Sequence, residues 1–188
     1  LLGLLRPAPW LAIVITVIAL DLVIYLQHIA FHKIPLLWRL HRVHHADLDI
    51  DATTGARFHP IEIVLSMLVK FGAILALGAT PAGVLIFEVL LNAIAMFNHA
   101  NARMPQAVDR VLRLFVVTPD MHRVHHSVLP YETDSNFGFN IPVWDRLFGT
   151  YRAQPEKGHL GMTIGLSKYL RAPTDRLGWM LLEPFKRS

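Results

Sequence analysis

Long apolar runs alternate with polar stretches along this chain, and the runs set its architecture. Residues 10–27 form an apolar run whose one charge is Asp21, and the run continues to about His32 before Pro35 stops it. A helix of that length can span a bilayer core of about 30 Å. Residues 33–60 are polar and read as a short helix on the membrane surface, then a loop with Asp47, Asp49, Asp51 and a turn at Gly55. Residues 61–79 and 82–97 are apolar again. The breaker between them, Gly78-Ala79-Thr80-Pro81, has room only for a turn, so the pair predicts a transmembrane hairpin. At 19 and 16 residues both arms are short for a full crossing, and a hairpin that enters only partway is the alternative. Past residue 98 the chain stays polar. An amphipathic run over 107–117 predicts an interfacial helix, Pro119 starts another helix, and 134–138 and 144–151 are turn-rich. The tail over 177–185, with Trp179, suits the membrane interface.

The expected fold is an all-α integral membrane protein: one transmembrane helix (about 10–32), a helical hairpin (61–79 and 82–97), and a helical cap built from 33–60 and 99–188. Residues 1–188 are expected to form a single membrane domain. The chain starts at Leu1 on apolar residues rather than at Met, so a preceding segment with further spans is expected. Of the 18 Lys and Arg, only Arg6 and Lys70 lie outside the cap segments. The positive-inside rule therefore puts the cap in the cytoplasm.

Composition narrows the chemistry. Hydrophobic residues make up 53% of the chain, high for a soluble domain. There is no cysteine, which excludes thiolate metal sites, iron–sulfur clusters and disulfides and leaves imidazole and carboxylate as ligands. The net charge of +4 comes without any nucleic-acid-binding motif, so anionic lipid is the expected partner of the basic residues and nucleic acid is not. Three charges, Asp21, Lys70 and Glu88, stand well inside the apolar runs, where they are costly. Asp21 lies two turns from His28 on one helix face, while Lys70 and Glu88 are placed to pair across a hairpin that otherwise serves as anchor and substrate wall. Glu88, Asn92 and His99 share a face, which aims His99 toward the cap.

Into that cap fall the histidines. His41-Arg42-Val43-His44-His45 recurs letter for letter as His122-Arg123-Val124-His125-His126. On a helix, positions i, i+3 and i+4 share a face, and the adjacent pairs His44/His45 and His125/His126 splay enough to reach different metals. His28 and His32 add an i, i+4 pair. A lone histidine in an apolar chain is ordinarily a core or interface residue, and His159 takes that reading. A helix face crowded with histidines that bind nothing would instead bury many nitrogens without partners. Eight or nine imidazoles exceed what one metal uses, so two metals are expected, each with an open position. Imidazole suits zinc, copper, iron and nickel alike. A site facing acyl chains has carbon–hydrogen bonds to oxidise and little to hydrolyse, which favours iron and O2. Two rivals are a membrane metal transporter, which should string histidines through several spans, and a zinc-dependent membrane hydrolase, which would need fewer imidazoles and a catalytic carboxylate.

The order His-x3-His, His-x2-His-His, Asn98-His99-Ala100-Asn101, Thr118-Pro119 before the second His-x2-His-His, Asn136-Phe137-Gly138 and Trp144-Asp145-Arg146-Leu147-Phe148-Gly149-Thr150-Tyr151 closely resembles the fatty acid hydroxylase and sterol desaturase superfamily. The likeness covers residues 21–152. It implies a membrane-bound non-haem di-iron oxygenase that hydroxylates or desaturates a lipid (sterol, sphingolipid, alkylglycerol or fatty acyl) with O2 and electrons from a separate cytochrome, ferredoxin or small reductant. Carried over by position, the ligands would be His28, His32, His41, His44, His45, His122, His125 and His126, with His99 as a ninth and His59 as a further candidate. They would hold two irons, with zinc as a substitute in a purified sample. Asp21, Asp120, Glu132, Asp134 and Asp145 are candidates for the outer contacts that orient the rings. Ile29 departs from an arginine common after the first histidine, which bears on local ion pairing and not on the chemistry.

Overall fold

The computed structural model describes residues 1–186, and among these every regular element is helical; the sole β-type contact is an isolated bridge between Ser127 and Ile164. After a short helix α1 (Leu2–Leu5) come the elements that frame the site: α2 (Pro9–Lys33), α3 (Pro35–His45), α4 (Pro60–Leu77) and α5 (Pro81–Asn98). Each of these four starts with Pro at its first turn, where the missing N–H has no helical partner to lose. The rings of His59 and the hydroxyl of Thr80 cap α4 and α5 by accepting from Ile61 N and Gly83 N. Gly78, at φ 65°, closes α4 in the left-handed conformation and makes the hairpin turn.

Three helices, α2, α4 and α5, are long and apolar enough to cross a membrane, which agrees with the expected spans to within two residues at most ends. Their packing leaves the outward faces apolar and open: Leu68, Phe71, Leu75, Leu85 and Val89 are all exposed. That is the pattern of helices solvated by lipid. Inward, Leu20 and Ile24 of α2 meet Phe87 of α5. The two helices pack tightly at Gly83, where a Cβ would stand 2.8 Å from that of Thr16.

The remaining elements are short: α6 (Gln106–Leu112), α7 (Pro119–His125), α8 (Pro130–Thr133), α9 (Val143–Leu147), α10 (Gly158–Gly161) and α11 (Leu177–Leu182). The amphipathic run expected to be helical through 117 ends at Leu112. Tertiary partners take the backbone beyond it, since the Arg113 carbonyl accepts from the Arg146 guanidinium and Val117 N donates to Asn140 O. The tail folds back over α3, where Glu183 is buried against Arg42 (2.8 Å) and the Tyr169 hydroxyl.

Candidate metal centre

Nine histidines converge at one end of the three long helices. α2 contributes His28 and His32 from its last turns, α3 contributes His41, His44 and His45, His99 caps the end of α5, and α7 carries His122 and His125 with His126 as its cap. They sort into two buried groups: His28, His32, His41, His45 and His125 in one, His44, His99, His122 and His126 in the other. Within each group the donor nitrogens all lie within 4.8 Å of one another. The adjacent pairs His44/His45 and His125/His126 are split between the groups, so each copy of the repeated word serves both. The other letters also have work: Val43 and Val124 are fully buried, Arg42 reaches Glu183, and Arg123 pairs with Asp120 at 2.6 Å.

For five of the nine rings the hydrogen bonds fix which nitrogen is free. A carbonyl or carboxylate can only accept, so a ring nitrogen facing one must carry the proton. By that rule His28 Nδ1 donates to Phe137 O (2.8 Å), His125 Nδ1 to Ser135 O (2.7 Å), His99 Nδ1 to Ala95 O (2.7 Å), His44 Nδ1 to Arg57 O (3.3 Å) and His41 Nδ1 to Glu62 Oε1 (2.6 Å). His32 Nδ1 faces Asp134 Oδ1 at 3.4 Å. In the neutral ring, Nε2 is then a bare lone pair. Yet Nε2 of His28 lies 3.2 Å from Nε2 of His41, and Nε2 of His44 lies 3.2 Å from Nε2 of His99. Two lone pairs at that distance repel unless a cation stands near both. His125 Nε2 and both nitrogens of His126 are buried with no partner at all. The donor set therefore fits nitrogen-binding metal ions, one for each group.

Electrostatics point the same way. Burial, and then the neighbouring rings, hold His44, His45, His122 and His126 well below the ordinary imidazole pKa. Burial also lowers His99 to about 4 and His125 to about 3. These rings are neutral at physiological pH, the state that ligates.

The loop after α8 sets two of the rings from behind. Asn136 adopts a left-handed φ of 53°, and its amide side chain donates to Met121 O and Arg152 O and accepts from Arg152 N. Asp145 accepts from Phe137 N and Gly138 N (both 2.8 Å) and from the Thr150 hydroxyl. A Cβ on Gly138 would stand 2.6 Å from that carboxylate. So Asn-Phe-Gly and the later Asp form one clamp, which delivers the Ser135 and Phe137 carbonyls to His125 and His28. The other acidic candidates do different things: Asp134 joins His32 to Lys33 (2.7 Å to its Nζ), Asp120 holds Arg123, Asp21 accepts from Trp144 Nε1 (2.8 Å), and Glu132 takes the backbone N–H of Glu156. His59 stands outside both groups, with Nδ1 capping α4 and Nε2 on Leu181 O. Glu62 is the contact that sequence reasoning missed. Its signal was a lone carboxylate at the entry of an otherwise apolar run, three residues after His59.

A cavity of about 400 Å³ runs between α2, α4 and α5 and is bordered by His28, His41 and Glu62 at the metal centre and by mostly apolar side chains beyond. A second, of about 300 Å³, touches His32, Trp38 and Asp134.

The sequence model of a family described as fatty acid hydroxylase matches residues 13–150. Among curated relatives, ornithine lipid hydroxylase OlsE of Rhizobium tropici is 28% identical over 94% of this chain and 51% of its own. Human alkylglycerol monooxygenase is 29% identical over 81% of this chain and 33% of its own, and fatty acid hydroxylase vlmA of a Lecanicillium species is 30% identical over 75% and 42%. The chain thus spans about half of the first of these relatives and less of the other two. No solved structure matches it.

Proposed function

The chain belongs to the fatty acid hydroxylase family, and from that premise we propose that it is a membrane-bound, non-haem di-iron oxygenase that hydroxylates or desaturates a lipid with O2 and electrons from a separate donor. The observation that carries the reading is the donor set: nine buried imidazoles, sorted five and four, at the edge of an apolar cavity between membrane-length helices. The ligands would be His28, His32, His41, His45 and His125 for one ion and His44, His99, His122 and His126 for the other. Residues 1–188 would act as one membrane domain with the centre on the cytoplasmic face, as the distribution of Lys and Arg supports.

Iron, when bound, supplies one-electron and oxygen chemistry. The chain's residues orient, shield and position. The carbonyls of Phe137, Ser135, Ala95 and Arg57 hold the rings in the tautomer that leaves Nε2 free, and Glu62 makes His41 a more basic ligand. Ile24, Phe31, Leu91 and Phe139 line the cavity and keep water from an acyl chain lying beside His28 and His41. A transporter would string its ligands along the spans, whereas these rings gather at helix ends. A hydrolase would keep a carboxylate for water activation, whereas Glu62 is engaged with His41.

Metal analysis of the purified chain, beside oxygen uptake under reductant, tests the proposal. About two irons per chain with lipid-dependent uptake is the expected result. Because zinc suits the same nitrogens, the sample is reloaded with iron first; an iron-loaded protein that consumes no oxygen with any lipid class overturns the reading.

A further inference from the structure

The Lys70–Glu88 ion pair, 2.6 Å long and midway along the hairpin, has no part in that chemistry. Nor does it stand alone. Glu62, Ser66 and Lys70 follow one another at four-residue intervals, so they form a polar strip up one face of the otherwise apolar α4. Glu88 and Asn92 make the matching pair on α5, and all five border the larger cavity. From α2, Gln27 Nε2 donates to Ser66 Oγ (2.8 Å) while its Oε1, also buried, has no partner.

A structural role alone explains this poorly. Charges inside a span are costly, and apolar residues would hold two helices together as well or better. The strip lines the cavity, where the Lys70 ammonium, paired with Glu88 but with protons to spare, can donate, and where, one helical turn away at Ser66, the Gln27 amide oxygen lacks a donor. The complement is a group that both donates and accepts: a hydroxyl or an amide. Ser66 and Lys70 lie one and two turns beyond Glu62, about 6 and 12 Å along the helix. We propose that this strip binds a hydroxyl or amide of the lipid substrate about 6–12 Å from the carbon presented to His28 and His41, so that the protein selects polar-substituted lipids over bare hydrocarbon chains. The proposal rests on the oxygenase reading for what happens to the carbon, and on the cavity alone for what is bound.

Photolabelling separates the two. A diazirine-bearing long-chain N-acyl amide, and its counterpart with the amide replaced by methylenes, are presented to the full chain in phosphatidylcholine nanodiscs. A site built to hydrogen-bond a polar group rejects the analogue that lacks it, so wild type should label with the amide probe at least about tenfold more strongly. Gln27→Leu, and Lys70→Met with Glu88→Leu so that no charge is left unpaired, should each erase that preference while retaining bound metal. Retained metal reports an intact fold; should the double variant fail to fold, Gln27→Leu decides. Equal labelling of wild type by both probes, or an undiminished preference in folded Gln27→Leu, overturns the proposal. A preserved preference with no oxidation of the amide lipid by iron-loaded protein overturns the oxygenase reading instead.

Discussion

Replacing Glu62 by glutamine tests how much of the metal affinity comes from outside the ligand set. In the native chain a buried carboxylate sits 2.6 Å from His41 Nδ1, a charge-assisted hydrogen bond that pushes electron density toward Nε2. Bonds to charged groups contribute about 1.5–3 kcal/mol and neutral ones about 0.5–1.5. Glutamine keeps the shape and an accepting oxygen, so the change removes the charge and costs about 1–1.5 kcal/mol, roughly tenfold in affinity. Glu62 Oε2 has no protein partner, so the new amide NH2 would be buried unmet there. That penalty is present with and without metal, and it falls on stability rather than on affinity. The assay is a competitive titration of the metal-free protein against a chelator. His41 belongs to the five-histidine group, so one binding step should weaken about tenfold and the other hold within about a factor of two. Two unchanged steps would mean that the contact does not tune the metal, and equal weakening of both would mean that the two groups are not separate sites.

His44→Ala and His125→Ala should each lose metal and lipid oxidation together, whereas His59→Ala should keep both and lose about 1 kcal/mol of stability with its helix cap; full metal in both of the first two would refute the ligand assignment. Asp145→Asn loosens the clamp behind His28 and His125, and should weaken metal binding about 10–100-fold without touching a ligand. Gly83→Leu drives a side chain into Thr16 and should cost about 1–3 kcal/mol in thermal unfolding, with metal content per folded chain unaltered. The metal-free protein should be acid-labile: His99 and His125 titrate near 4 and 3 when folded against 6.5 when unfolded, so the unfolded chain binds protons first as pH falls. Stability is then full above pH ~6.5 and declines toward pH ~3, by about 2 kcal/mol per ring at pH 5, and a metal-free unfolding midpoint that is flat from pH 7 to 5 would contradict this.

Much of the fold was legible because its cues are local. A proline at the start of each of the four framing helices, glycine at the hairpin turn and uninterrupted apolar runs mark the long elements within a residue or two. The gathering of the histidines was legible from their spacing, since a repeated i, i+3, i+4 pattern needs only a helix to bring its rings to one face. His99 was pointed the right way by Glu88 and Asn92. What the sequence hid was anything settled by a distant backbone. Nothing in Ser135 or Phe137 as residue types says that their carbonyls will meet His125 and His28, and nothing in residues 113–117 says that Asn140 and Arg146 will claim their backbone and end a helix early. Glu62 fell between these cases: its type was suggestive, but the partner that gives it meaning is 21 residues away on another helix.

The interleaving of the two histidine words also has a temporal side. During synthesis, His28, His32, His41, His44 and His45 are all made before the α7 ligands, and 80 residues separate His45 from His125. At roughly 5–20 residues per second that gap lasts about 4–16 s. Through it, the chain holds the five imidazoles destined for α2 and α3 and none yet from α7, so no second wall defines coordination number or geometry. An open cluster of that kind follows the Irving–Williams order, which ranks copper and zinc above ferrous iron. Selection of iron, the metal proposed above, would therefore not come from the first word alone. It would fall to the closed cage, once α7 has docked, to exchange or expel a metal bound by the nascent half-site, or to the cell to keep the tighter-binding metals scarce while the chain is still emerging.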